Sequence, residues 1–326
     1  MLIFFKFSFL LGGMVSSLLG IFIYLKNGKQ VVNKTYAGLS LCSAIWSFGF
    51  FVMLSSKTVE AAYFWRMFMD AGAIFIPAFW MHFIYSITDS NSKKSKEIIA
   101  YYIFGVFLLV SNFADYVFPG IFIKEMVAKN VFNYYPTAGF GYYLFLLFYI
   151  TVIPYSLYYL AVSYFKSSGL VAQQIKYLII AAFVGFVGGG MTFLLTFNIP
   201  VVPYGVIFFA FYPIIVAFAI TKHHLFDIKV ITTELFTFTL WVVLLIKIFF
   251  SNGSQDLLVN IIIFLLVAIF GILLIRGAIK GAEFNKKLLE ESQKNLDIEQ
   301  RLRKTFAEIA EEQTREIEKI ISGKKS

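Results

Sequence analysis

The chain has 326 residues and a formal net charge of +9, with 59% hydrophobic and only 14% charged residues at a mean hydropathy of +0.78. This composition lies far outside soluble usage and excludes a water-soluble fold, which could not hide so much apolar surface. A bilayer core of about 30 Å takes roughly 20 apolar residues per helical crossing, and stretches of that length recur along most of the chain.

In chain order there are nine such runs: residues 2–25, 33–55, 60–87, 97–118, 140–165, 173–197, 203–221, 230–250 and 256–276. Each reads as a membrane helix. A transmembrane barrel would instead show alternating segments of about ten residues. The first run is too long for a signal-peptide core, has its positive charges after it, and lacks a small-x-small cleavage site. The single cysteine, Cys42, lies inside the second run with no partner in the chain, so no intrachain disulfide framework is expected.

Lysines then set an orientation. The loops after the first, third, fifth and seventh runs carry ten: Lys26, Lys29, Lys34, Lys93, Lys94, Lys96, Lys166, Lys176, Lys222 and Lys229. The opposite loops carry three, Lys57, Lys124 and Lys129. The expectation is a multi-pass protein of the cell membrane with its N-terminus outside and its tail in the cytoplasm. The positive charge is mostly this asymmetry, so no nucleic-acid partner is called for. Residues 119–139 form the one sizeable external loop, too short for a domain.

In the third run, Arg66 and Asp70 lie four apart on one helix face. Ionisable residues at such depth are rare and face the bundle or water. With Trp65 beside them and Tyr142, Tyr143 and Tyr149 on the fifth helix, they are candidates for a pocket that takes a small or amphipathic ligand. The alternative is a self-neutralising pair, with Arg66 snorkelling outward. Such a pair would tolerate exchange of its two charges. His82, among Trp80, Met81 and Phe83, is either a pH-sensing group or the donor of one interhelical hydrogen bond. Pro77, Pro154 and Pro213 mark kinks or unwound turns in the third, fifth and seventh helices.

The run Trp65, Arg66, then Ile76, Pro77, then His82, Phe83 resembles the third helix of the seven-transmembrane sensor region at the N-terminus of many bacterial histidine kinases. Further matches are Gln174 to Leu178, the glycines Gly185, Gly188, Gly189 and Gly190, and the turn Asn198 to Pro200 with Pro203 to Gly205. The most specific is the exit segment Lys222-His-His-Leu-Phe-Asp-Ile228. The resemblance spans about residues 1–276. It implies a receptor module of two-component signal transduction, relaying a signal from outside or from the membrane to the cytoplasm.

His82, His223 and His224 are the only histidines, and none sits in a phosphoacceptor context. Gly188 to Gly190 lies mid-membrane, where close helix packing of Gly185 with Gly189 is expected rather than a phosphate cradle. The chain is therefore expected not to be an enzyme. It is either a sensor acting on a separate kinase or response partner, or the front of a longer kinase. The competing class is a transporter or channel, since broken helices are common in proteins that move solutes. His223 and His224 with Asp227 read as an interfacial cap rather than a metal site, because adjacent helical side chains point about 100° apart. No metal and no cofactor is expected.

The organisation predicted is therefore all-α: a seven-helix bundle over 1–228, two further spans over 229–276, and a cytoplasmic tail over 277–326, with Gly277 and Gly281 as a candidate hinge. Within the tail, Leu289, Leu296, Leu302, Phe306, Ile309, Ile317 and Ile320 recur at three- and four-residue steps. They would form the seam of a parallel coiled coil with a second copy. Asn295, Glu299 and Gln313 fall near that seam and weaken it. An amphipathic helix on the inner leaflet is the other reading.

Overall fold

The computed structural model describes residues 1–221, 251 and 253–323, with Thr233, Thr237, Leu240, Trp241, Leu244, Lys247 and Ile248 between them. Contacts divide these residues into two compact units, one holding residues 1–221 and the other residues 253–323. The exit segment 222–229, with His223, His224 and Asp227, lies outside the described residues, as does most of the expected eighth span, 230–250.

In the first unit the apolar runs are helices, the form that pairs every backbone group within its own segment where lipid offers no partners. They are α1 (Leu2–Asn27), α2 (Val31–Ser55), α3 (Val59–Ile87), α4 (Ser95–Ala114) and α5 (Phe140–Lys166). The next run is two helices, α6 (Gly169–Ala182) and α7 (Gly188–Thr196), joined by a π-helical turn at Phe183–Val187. The run expected at 203–221 is shorter and broken into α8 (Val206–Phe209) and α9 (Tyr212–Thr221). Pro213 is the second residue of α9, where a backbone N–H has no intrahelical partner to lose. It marks a helix start, and the Pro213 carbonyl accepts the Tyr36 hydroxyl at 2.8 Å. Pro77 and Pro154 lie inside continuous helices.

Helices α2 and α3 form the centre of the bundle. They approach closely because a side chain is missing on each: a Cβ at Gly49 would come within 2.7 Å of the Met69 backbone, and one at Gly72 within 2.5 Å of the Cys42 carbonyl. Small residues at such crossings let helix backbones meet in lipid. Around this pair a continuous aromatic core includes Trp46, Phe50, Trp80, Phe186 and Phe209. The Trp80 indole donates to Ser156 on α5 at 2.8 Å.

The segment between α4 and α5 is not the plain loop expected. Strands β1 (Ile123–Lys129) and β2 (Phe132–Ala138) form an antiparallel hairpin, paired from Ile123 with Ala138 to Lys129 with Phe132. Asn130 in its turn has φ +50°, a conformation that asparagine tolerates better than most residues. Phe122, Ile123, Phe132 and Tyr135 are buried, so the hairpin packs onto the bundle instead of standing apart from it.

The second unit contains the helix α10 (Ser254–Gly323), of 70 residues. Its stretch Ser254–Ala278 is apolar and long enough to cross a bilayer, one of seven such stretches among the described residues. The helix continues through Gly277 and Gly281 without interruption. The fold is an all-α polytopic bundle with one small hairpin added.

Candidate functional site

Helix α3 begins at Thr58, whose hydroxyl accepts the Ala61 amide at 3.3 Å and so caps the first turn. Two turns on, Arg66 is fully buried, as are Asp70, Asn112 and Asp115. The Arg66 Nη1 donates to Asp70 Oδ2 at 3.1 Å and to Asn112 Oδ1 at 2.7 Å, while Nη2 donates to Asp115 Oδ2 at 3.0 Å. Asn112, on α4, returns a bond from its Nδ2 to the Met67 carbonyl at 2.8 Å. The guanidinium lies 4.8 Å from the Tyr63 ring centroid and 5.7 Å from that of Phe122, within the range of cation–π attraction.

Asp115 is the junction of this network. Its Oδ2 accepts the Tyr63 hydroxyl at 2.6 Å, and its Oδ1 accepts the backbone amides of Gly120 at 3.1 Å and Phe122 at 2.8 Å. One carboxylate thereby joins α3, the end of α4 and the start of the hairpin. Charge-assisted bonds of this kind are about twice as strong as neutral ones.

The predicted residues divide between two faces. Tyr142 is buried and Tyr149 half-buried, and both line an aromatic cavity with Trp46, Phe50, Met69, Ala73, Phe186 and Phe193. Tyr135 and Pro136 of β2 close it on the hairpin side, together with Thr192 and Thr196 of α7. The cavity encloses about 30 Å³. Trp65 and Tyr143 are elsewhere: Trp65 is 36% exposed and packs on Phe64 and Phe68, and Tyr143 is 56% exposed beside Phe197. Arg66 and Asp70 are not exposed in a pocket, nor does Arg66 snorkel. They belong to the closed network beside the cavity, whose lining residues Met69 and Ala73 stand on either side of Asp70 in α3.

Sequence reasoning missed Asn112, Asp115, Tyr63 and Lys129. Asn112 and Asp115 were legible as two polar residues three apart at the end of a helix antiparallel to the one carrying Arg66. Lys129 holds the hairpin at a second point, donating to the carbonyls of Pro136 at 3.0 Å, Leu195 at 3.0 Å and Thr196 at 3.5 Å. A cation on the last carbonyls of α7 is where a helix C-terminus favours one. At the far end of α3, His82 Nδ1 and the Tyr102 hydroxyl are hydrogen-bonded at 3.1 Å, an interhelical bond to α4.

The cavity wall includes the π-helical turn. The Phe186 carbonyl accepts the Tyr149 hydroxyl at 3.2 Å, and the Thr192 carbonyl accepts that of Tyr135 at 3.0 Å. Single π turns inside α-helices recur at functional sites.

A family model described as the N-terminal 7TM region of histidine kinase matches residues 8–229. The chain belongs to this family. Neither the curated proteins nor the solved structures hold a match to it. The family match covers α1, from its first turns onward, to α9, so the Arg66 network and the aromatic cavity lie in the sensor region of a two-component signalling protein. That region is not itself catalytic. Among the described residues no cluster of histidine, cysteine and carboxylate side chains is suited to a metal ion.

Proposed function

We propose that the first unit receives a small or amphipathic ligand at the aromatic cavity and passes the event through the helices to a cytoplasmic tail. In this reading the N-terminus and the hairpin are outside and the end of α10 is in the cytoplasm, following the lysine asymmetry of the loops. Two copies pair through the tail along Leu289, Leu296, Leu302, Phe306, Ile309, Ile317 and Ile320, and act on a cytoplasmic kinase or response partner. Membrane lipids surround the bundle. The carrying observation is the buried Arg66 to Asp115 network, which ties the hairpin to α3 and α4 beside the cavity.

Leu296, Leu302 and Phe306 are exposed in the single chain, at 54%, 52% and 68%, which leaves apolar surface for a partner helix. The side chains of Leu289, Ile309, Ile317 and Ile320 lie outside the described residues. Cysteines placed singly at Leu302, Ile309, Arg303 and Lys304, in a background lacking Cys42, test both parts of the reading in membranes. Crosslinking at 302 and 309 should exceed that at 303 and 304, and Arg66→Gln should change the pattern. Equal crosslinking at all four sites would sink the paired tail. A pattern unmoved in a folded Arg66→Gln variant would sink the relay.

A further inference from the structure

Three buried ionisable groups meet in the network, and their charges do not balance. Arg66 supplies one positive charge, Asp70 and Asp115 one negative charge each, and all three are fully buried. Asp115 spends both oxygens on donors, whereas Asp70 uses only Oδ2, and its Oδ1 has no hydrogen-bond partner among the described residues. With both carboxylates ionised, one negative charge is uncompensated. An unpaired charge in a low-dielectric interior is strongly unfavourable.

The surplus sits behind a wall of aromatic rings. Met69 and Ala73, on either side of Asp70 in α3, line the cavity, and Tyr135, Tyr142, Tyr149 and Phe186 are among its rings. Ring faces attract cations and do so most when water is excluded. The other cation near this end, Lys129, is 6.0 Å from the Tyr135 ring centroid, but its bonds go to three carbonyls and Glu125 opposes its charge. The cavity volume of about 30 Å³ is room for roughly two water-sized groups, which suits a primary ammonium head and excludes a trimethylated one.

We propose that the cavity binds a small organic cation, a primary ammonium on a short apolar body, held by the aromatic rings and by the surplus charge of Asp70. The ring faces and the carboxylate charge give the site its selectivity for cations over neutral or anionic molecules of the same shape. This deepens the sensor reading and rests on it only for what binding causes.

The experiment uses the full chain in nanodiscs of zwitterionic lipid, titrated with methylammonium, methanol or formate, with the unfolding temperature as readout. Methylammonium should raise it saturably while the other two do not. Asp70→Asn, which leaves Arg66 balanced by Asp115 alone, should weaken the ammonium effect by about tenfold or more. Phe186→Leu keeps the charge but removes a ring face and should weaken it several-fold, which decides the matter if Asp70→Asn does not fold. Equal stabilisation by methanol, or an ammonium effect that survives both substitutions, overturns the proposal. Saturable ammonium binding that leaves tail crosslinking unchanged counts against the relay and not the site. Tail crosslinking that responds to Arg66→Gln without any ammonium binding counts against the site and not the relay.

Discussion

Arg66 and Asp115, 49 residues apart in sequence, are joined at 3.0 Å with neither side chain touching solvent. Because the other oxygen of Asp115 holds the Phe122 amide at 2.8 Å, the helix pair and the hairpin are fixed through one carboxylate. Asp115→Ala should therefore cost about 3–5 kcal/mol, the usual loss when one partner of a buried pair is removed. Hydrogen exchange at the Gly120 and Phe122 amides should speed up together with the fall in stability. Unchanged exchange there would mean that the hairpin is held by its apolar residues alone.

Exchange of the charges at positions 66 and 70 would be tolerated by an isolated pair. The network forbids it: Arg66→Asp puts a carboxylate where Asp115 already accepts from Nη2, and Asp70→Arg leaves no cation in reach of both. The double variant should be less stable than native by several kcal/mol, on the order of a broken buried pair. Arg66→Lys should also fail to substitute, since a point charge cannot donate to Asn112 and Asp115 in a fixed fork. Thermal unfolding in lipid measures both, and a double variant as stable as native would refute the network.

Burial pushes the Lys129 ammonium down to about 8 from the ordinary lysine value of 10.5, with Glu125 pulling the other way. Below about 8 the lysine is charged in folded and unfolded chains alike, and the full cost of burying it is present. Between about 8 and 10.5 the unfolded chain holds a proton that the folded chain has released, so this group's contribution to stability rises with pH across that window. The tether weakens over the same range, since a neutral amine has two N–H groups for three carbonyls. Mass-spectrometric acetylation of Lys129 against pH should have its midpoint near 8. A midpoint at the ordinary lysine value would show that the carbonyls offset the burial.

A Cβ at Gly188 would come within 2.5 Å of the Gly205 carbonyl, while one at Gly190 meets nothing nearer than the Tyr149 hydroxyl at 3.8 Å. Gly188→Ala should destabilise by about 1–3 kcal/mol through overpacking, and Gly190→Ala should be neutral or mildly stabilising. Equal effects in thermal unfolding would argue against close contact between α7 and the turn before α8.

The spans were legible because each is continuously apolar over the length a bilayer requires, and the helices follow those runs closely from α1 to α7. Arg66 and Asp70 were legible as a pair because four residues make one helical turn. Asp115 was legible as a polar residue at the end of its helix but not as a partner of Arg66, since nothing local links the two. The hairpin was hidden by register shifts between Ile123 and Glu125 and between Val127 and Lys129, which break the two-residue alternation that identifies strands. Trp65 and Tyr143 fall on a different face from their neighbours Arg66 and Tyr142, because one step along a helix turns a side chain about 100°, enough to carry each out of the interior.

In the proposed relay, the uninterrupted course of α10 makes angle, more than distance, the quantity its far end would report. In a helix without a break, each residue removed rotates everything beyond it by about 100° and draws it in by about 1.5 Å. Removing seven residues beyond Ala278 would thus shorten the rod by about 10 Å yet turn its end by only about 20°. Removing five would shorten it less and turn the same end by about 140°. A downstream domain geared to this helix should keep its setting after the longer deletion and lose it after the shorter one.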